Sequence, residues 1–133
     1  MDTFSAYFLN PKAMYTQIVH LPKNSDYFSE AKKVMNIEWL TIVNLELEGH
    51  TFTVLCDDEG LLTSEIYFSI FDGQAPLIAG NVIFMHESPV DEDGNSILSD
   101  LTDEEIDIID RNCVLVIGAS SINIAINNCK YPE

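Results

Sequence analysis

The chain has 133 residues, of which 22 are Asp or Glu and only 6 are Lys or Arg, so its formal net charge is −16. A surface this acidic repels nucleic acid and anionic membrane, which argues against direct binding of either. Apolar residues make up 47% of the chain, too many for a disordered acidic segment. The length predicts a single domain, residues 1–133, that folds without a metal or a disulfide.

The cysteines and the absence of targeting signals indicate in which cellular compartment the protein is found. Cys56, Cys113 and Cys129 form no C-x-x-C pair, and an odd, sparse set is typical of free thiols in a reducing environment. The start of the chain lacks the basic and apolar regions of a signal peptide. The longest apolar runs, such as Cys113 to Ala119, are too short to span a bilayer. We therefore expect a cytoplasmic protein.

The first half of the chain predicts a strand, a helix and a hairpin. Residues 1–12 form a mixed lead-in. The predicted elements that follow are a strand over Ala13–Leu21, a helix capped by Asn24 or Ser25 and running to Met35, and a hairpin of Ile37–Leu47 with Thr51–Cys56. The hairpin turn is Glu48-Gly49-His50. An acidic turn over residues 57–60 ends the second strand.

The second half predicts four strands and one more helix. The predicted elements are a strand over Glu65–Phe71, a buried central strand over Leu77–His86 with a bulge or a close backbone approach at Gly80, a helix from Thr102 to Asn112, strands over 114–117 and 122–126, and a tail over 127–133. Together these elements predict an α+β fold. We expect an antiparallel or mixed sheet of about five or six strands with two helices.

Residues 87–110 are the most acidic part of the chain, because ten of these twenty-four residues are Asp or Glu and none is Lys or Arg. The sequence Asp91-Glu92-Asp93-Gly94 predicts a turn that faces water. Thr102 and Glu105 match the T-x-x-E capping box that starts a helix.

Three aspartates of this predicted helix are spaced to share one stripe. Asp103, Asp107 and Asp110 recur at i, i+4 and i+7, and like charges at this spacing repel one another. No base precedes Arg111 on the helix to relieve that repulsion. The stripe is typical either of a solvated helix face or of a surface that imitates a row of phosphates.

The sequence contains no complete catalytic or metal-binding motif. Asp91, Asp93 and Asn95 match the first ligands of a calcium loop. Ser96 and Thr102, however, stand where such a loop requires Gly and Glu. The three histidines lack metal-ligand spacing, and no Gly-rich phosphate loop or nucleophile elbow is present. The sequence is also compatible with a Cys–His nucleophile pair, although nothing favours such a pair over buried structural cysteines. We therefore expect no enzyme activity, no cofactor and no metal.

The stretch IAGNVIFMHESPVDEDGNSILSDLTDEEIDII, residues 78–109, resembles the C-terminal signature of a domain-of-unknown-function family found in phages and mobile plasmids. In that pattern an I-x-G strand leads into a D-E-D-G turn and an L-T-D-E-E-I helix. CDDEGLL, residues 56–62, resembles an earlier acidic turn of the family. The resemblance covers residues 14–110 and leaves 112–133 without a counterpart. It implies an origin on a bacterial mobile element and supplies no catalytic residues.

Small acidic proteins of mobile elements are similar in kind to antirestriction and anti-CRISPR proteins, several of which mimic DNA. By this analogy of charge and setting, our first hypothesis is an inhibitor that binds a basic, nucleic-acid-binding host protein such as a restriction or CRISPR nuclease. The predicted partner-binding residues are Asp57, Asp58, Glu59, Asp91, Glu92, Asp93, Asp100, Asp103, Glu104, Asp107 and Asp110.

The sequence is compatible with two other functions. It is also compatible with a homodimer. A protein that binds a small ligand, such as a nucleotide signal, would need a pocket with aromatic and basic groups. Lys12, Lys23, Lys32 and Lys33 place any such anion site near the first helix. An enzyme is the least supported alternative, since no nucleophile–base or metal arrangement is visible.

Overall fold

A computed structural model describes residues 2–24, 26–57, 67–71, 78–94 and 97–117. Over these ranges the fold is α+β, as predicted. The strands are β1 Thr3–Asn10, β2 Tyr15–Pro22, β3 Leu40–Leu47, β4 His50–Asp57, β5 Tyr67–Phe71, β6 Ile78–Ala79, β7 Val82–His86 and β8 Cys113–Ile117. The helices are α1 Tyr27–Met35 and α2 Asp103–Asn112.

The strands form two antiparallel sheets. The larger sheet has five strands in the order β2-β1-β7-β4-β3, and the smaller has three in the order β6-β5-β8. Strand β7 lies at the centre of the larger sheet, and its residues from Val82 to Met85 are fully buried. A strand buried on both faces needs a cover on each side of the sheet.

Each face of the larger sheet carries its own hydrophobic core. Ala31 and Met35 of α1 pack in the core on one face. Ile108 and Ile109 of α2 pack in the core on the opposite face, together with Leu115 of β8. The sheet is therefore covered by α1 on one side and by α2 with part of the smaller sheet on the other, and α2 keeps one side toward solvent.

The prediction of a lead-in over residues 1–12 is wrong, because Thr3–Asn10 forms β1, which pairs with both β2 and β7. The apolar side chains from Phe4 to Leu9 are divided between the two cores. The polar–apolar alternation that marks a half-buried strand is therefore absent from this segment. The strand predicted over Ala13–Leu21 is observed as β2, displaced by one or two residues at its ends.

Both predicted helices are confirmed, with one difference at the first cap. Asp26 occupies the N-cap of α1 and makes no side-chain cap hydrogen bond. Asn24 Oδ1 instead accepts a hydrogen bond from the Asp26 N–H at 2.8 Å, and Ser25 lies outside the described residues. Within the described ranges, no helix is long and apolar enough to cross a membrane.

The predicted hairpin is confirmed as β3 and β4, whose last and first residues, Leu47 and His50, pair directly. The two residues between them, Glu48 and Gly49, have φ angles of 50° and 82°. Positive φ at both central positions is what a tight type I′ hairpin turn requires. Glu48 adopts this conformation at some cost, since only Gly, Asn and Asp do so readily.

The single strand predicted over Leu77–His86 is wrong. The chain leaves the smaller sheet after β6, passes Gly80 at a φ of 85°, and enters the larger sheet as β7. Gly80 thus marks a change of sheet rather than a bulge within a strand. The predicted strand over 122–126, the tail over 127–133 and the first residues of the strand predicted over Glu65–Phe71 lie outside the described ranges.

Candidate interaction surface

The predicted capping box fixes the first turn of α2. The Thr102 hydroxyl accepts a hydrogen bond from the Glu105 N–H at 3.1 Å, and Glu105 Oε1 accepts one from the Thr102 N–H at 2.9 Å. Each residue therefore satisfies a backbone donor of the other. The carboxylate of Glu105 faces inward as a result, and the residue is only 4% exposed.

Glu105 also contacts the central strand. His86 Nδ1 lies 2.9 Å from Glu105 Oε1 and 3.0 Å from Oε2. An ionised carboxylate only accepts hydrogen bonds, so the imidazole donates its Nδ1–H. Burial raises the pKa of Glu105, but the hydrogen bonds from Thr102 and His86 outweigh it and hold the pKa below its ordinary value. The start of α2 is thereby attached to the end of β7.

Asp110 attaches the other end of α2 to the sheet. The Tyr7 hydroxyl donates a 2.6 Å hydrogen bond to Asp110 Oδ1, and the Thr16 hydroxyl lies 2.8 Å from the same phenol oxygen. Burial and the contact with Asp110 raise the pKa of Tyr7 to about 12. The stripe predicted over Asp103, Asp107 and Asp110 is therefore incomplete, because its third member is turned toward the core.

Arg111, at the C-terminal end of α2, is held by the turn of the β3–β4 hairpin. Its guanidinium donates to both carboxylate oxygens of Glu48, at 2.9 and 3.2 Å. Asn112 Nδ2 donates to Glu48 as well, at 2.7 Å. These hydrogen bonds lower the pKa of Glu48, and Glu48 raises the pKa of Arg111.

We use the name anionic surface for those predicted partner-binding acids that are exposed. Seven of the eleven predicted partner-binding residues are exposed: Asp91, Glu92, Asp93, Asp100, Asp103, Glu104 and Asp107. Asp57 and Asp110 are half-buried, and Asp58 and Glu59 lie outside the described residues. His50 Nε2 approaches Glu104 at 3.9 Å, a separation at which an exposed pair contributes little.

The turn predicted over Asp91–Gly94 is confirmed and held by local hydrogen bonds. The Gly94 N–H donates to the Asp91 carbonyl at 3.1 Å, and the Asp93 N–H donates to Asp91 Oδ1 at 2.9 Å. Gly94 has a φ of 83°, which a residue with a side chain rarely adopts. Within the described ranges, no group of three or more His, Cys, Asp or Glu side chains is placed to hold a metal ion.

Asp100 connects the acidic segment to β1. Its Oδ1 accepts a hydrogen bond from the Ser5 N–H at 2.7 Å, and the Leu101 N–H donates to the Ser5 carbonyl at 3.1 Å. The carboxylate nonetheless stays exposed. No local signal in the sequence could have shown this contact, because its partners are 95 residues apart.

Two of the three cysteines lie within the described ranges, and both are buried free thiols. Burial, with a smaller contribution from Asp57, raises the pKa of the Cys56 thiol to about 12. A thiol so difficult to ionise is a poor nucleophile at neutral pH. Cys56 therefore packs as a small apolar residue in the core beneath α2.

A groove of about 950 Å³ opens between the N-terminal end of α1 and the acidic turn. Its lining includes Asp2, Lys23, Tyr27, Phe28, Asp91 and Ile97. The rings of Tyr27 and Phe28 lie 4.4 Å apart between centroids, at an interplanar angle of 40°. This groove lies where the small-ligand hypothesis predicts an aromatic and basic pocket, although Lys12, Lys32 and Lys33 are not among its lining residues.

Comparison with known proteins gives no relative from which a function could be transferred. No protein-family model matches the chain, and searches of curated proteins and of solved structures find no significant match. The anionic surface and the groove are therefore the features from which a function can be inferred.

Proposed function

We propose that this protein is an interaction protein of a bacterial mobile element that binds and inhibits a basic, nucleic-acid-binding host defence protein by imitating DNA. The main support for the proposal is that the acids of α2 fall into two groups, one facing the core and one facing solvent. Glu105 and Asp110 are turned inward and hydrogen-bonded, whereas Asp103, Glu104 and Asp107 face solvent. The inner acids position the helix and the outer acids are presented to a partner.

The charge density of the outer face supports the comparison with DNA. Asp103 and Asp107 are four residues apart, which is about 6 Å along a helix axis. With Glu104 this gives three charges at a mean spacing of about 3 Å along the axis. Duplex DNA carries one charge per roughly 1.7 Å of its axis. The charges on α2 are therefore spaced within about a factor of two of those on DNA, and they would attract a protein channel that binds DNA.

The rigidity of the anionic surface also supports the proposal. Contacts with His86 at one end and with Tyr7 and Glu48 at the other fix α2 to the sheet. Asp100 and the turn at Asp91 are held by their own hydrogen bonds. Charges fixed before binding lose less conformational entropy on association than charges on a flexible tail. Clustered charge also accelerates encounter with a basic partner.

The proposal is tested by capture of host proteins on the immobilised chain, with duplex DNA as competitor. We expect a nucleic-acid-binding protein to be retained at low salt, to be displaced by DNA, and to be lost at high salt because charge interactions are screened. Retention that duplex DNA does not reduce would contradict DNA mimicry.

A matched pair of triple variants controls for net charge. D103N/E104Q/D107N removes three carboxylates from α2, and D26N/E38Q/E46Q removes three exposed carboxylates elsewhere. Both variants change the net charge equally. We expect the first variant to lose the captured protein and the second to keep it. Equal capture by the two variants would exclude α2 as the contact.

The groove gives some support to the alternative function, a protein that binds a nucleotide signal. Lys23 and the ring of Phe28 line it, and such groups contact phosphates and bases. Asp2 and Asp91 line it too, and their carboxylates oppose an anionic ligand. A thermal-shift series with nucleotides tests the alternative, which predicts a rise in the melting temperature.

A further inference from the structure

The groove beside α1 shares Asp91 with the anionic surface, and its lining combines carboxylates with apolar side chains. Asp2 and Asp91 line it and are both exposed. Phe28 and Ile97, which are 37% and 45% exposed, supply the apolar part of its lining. Side chains of this size left open to water in a concave site gain from being covered by an apolar or flat group.

The charges of the lining decide which kind of group fits. The two carboxylates outnumber Lys23, so the lining carries a net negative charge even before the neighbouring Glu92 and Asp93 are considered. An anion is therefore disfavoured. A cation with a flat apolar face satisfies both parts of the lining, because a guanidinium stacks on an aromatic ring and accepts a carboxylate partner in its plane.

We infer that the groove receives an arginine side chain of the basic partner. The guanidinium stacks against Phe28 and donates hydrogen bonds toward Asp2 and Asp91, and the aliphatic part of the side chain covers Ile97. The inference depends on the proposed function for the nature of the partner. It adds a specific anchoring contact to the diffuse attraction of the anionic surface.

Arginine is preferred over lysine on chemical grounds. The guanidinium is planar and weakly hydrated, so it loses little when it leaves water to lie on a ring. The ammonium of lysine is compact and strongly hydrated, and it contacts carboxylates as a point charge. The groove should therefore distinguish the two residues, whereas the anionic surface should attract both equally.

The test is an NMR titration of the isolated protein with the peptide acetyl-Gly-Arg-Gly-amide, alongside matched peptides with lysine or the uncharged isostere citrulline. We expect the arginine peptide to shift the backbone amides of Phe28, Gly94 and Ile97. The lysine peptide should bind more weakly, and the citrulline peptide should cause no saturable shift. Equal shifts with citrulline, or shifts confined to α2, would overturn the inference.

Variants and a second ligand complete the experiment. D2N/D91N should weaken arginine-peptide binding by roughly fivefold, whereas E38Q/E46Q, with the same change of net charge, should not. Asparagine can still accept the Asp93 N–H, so the turn is expected to persist. Saturable binding of ATP in the groove, without arginine binding, would overturn the inference and favour the nucleotide alternative. Because the titration uses no host protein, the groove can fail this test while α2 still captures a partner.

Discussion

The hydroxyl of Tyr7 donates a 2.6 Å hydrogen bond to the carboxylate of Asp110, joining β1 to the C-terminal end of α2 across 103 residues of sequence. This contact removes Asp110 from the solvent-facing acids. It also explains how a helix rich in like charges stays on the sheet, since one of those charges is used as an acceptor from the core.

Replacing Tyr7 with Phe should destabilise the protein without changing its surface. The substitution removes the donor to a charged acceptor, a loss of about 1.5–3 kcal/mol in the free energy of unfolding. Urea denaturation measures the change, and the dependence on denaturant should stay the same because the exposed area does not change. A variant as stable as the wild type would show that the hydrogen bond contributes nothing.

Asp110 and Asp107 should behave in opposite ways when each is replaced with Asn. D110N weakens the acceptor of the Tyr7 hydroxyl, so we expect a loss of about 1 kcal/mol in stability and little effect on partner capture. D107N removes an exposed charge, so stability should stay within about 0.5 kcal/mol and capture should weaken. If D110N weakened capture as much as D107N does, this expectation would be wrong.

Replacing Glu105 should destabilise the protein more than replacing any other acid of α2. E105A removes the capping box and the acceptor of His86, and we expect a loss of about 2–4 kcal/mol. E105Q keeps an oxygen that can accept from the Thr102 N–H, so its loss should be about half as large. Thermal and chemical unfolding of the two variants give the comparison. Equal losses would indicate that the cap contributes little.

The depressed pKa of Glu105 predicts a dependence of stability on pH. Its folded pKa lies below the ordinary value of roughly 4.3, so its contribution is complete above that pH and is lost as the pH falls through the folded pKa. E105Q has no such group, so its stability should decline less than that of the wild type as the pH falls below roughly 4.3, the ordinary pKa of glutamate. Parallel curves for wild type and E105Q would contradict this explanation.

Glu48 combines an unfavourable backbone conformation with a surface ion pair. E48N should be at least as stable as the wild type, because Asn-Gly is the preferred sequence of a type I′ turn and an exposed ion pair contributes only about 0–1 kcal/mol. E48A should lose about 1 kcal/mol relative to E48N, since alanine adopts a positive φ less readily than asparagine does. Denaturant unfolding of both variants measures the difference. Equal stability of the two would refute the argument.

Local patterns predicted the elements whose determinants lie close together in sequence. The capping box of Thr102 and Glu105 and the turn at Glu48 and Gly49 are both confirmed, because each depends on residues within a few positions. Strand β1 was missed because it is buried on both faces and lacks alternation. The break at Gly80 was misread because a glycine within an apolar run is compatible with a bulge as well as with a change of sheet.

The anionic surface was predicted only in part, for a similar reason. The sequence correctly placed Asp103, Glu104 and Asp107 on a helix, since helical periodicity is local. It could not show that Asp110 turns toward Tyr7 or that Glu105 meets His86, because those partners come from distant strands. For the groove, the sequence predicted only a place near the first helix, because its lining comes from segments far apart in the chain: Asp2, the N-terminal end of α1 and the acidic turn.

Central to the proposed function is the binding of a basic partner, through charge, by the outer carboxylates of α2. The direct measurement is the affinity of the captured host protein for the wild type and for D103N/E104Q/D107N over a series of salt concentrations. We predict that the wild-type affinity falls steeply with salt and that the variant binds more weakly with a shallower dependence. Equal affinities for both proteins, with no dependence on salt, would contradict it.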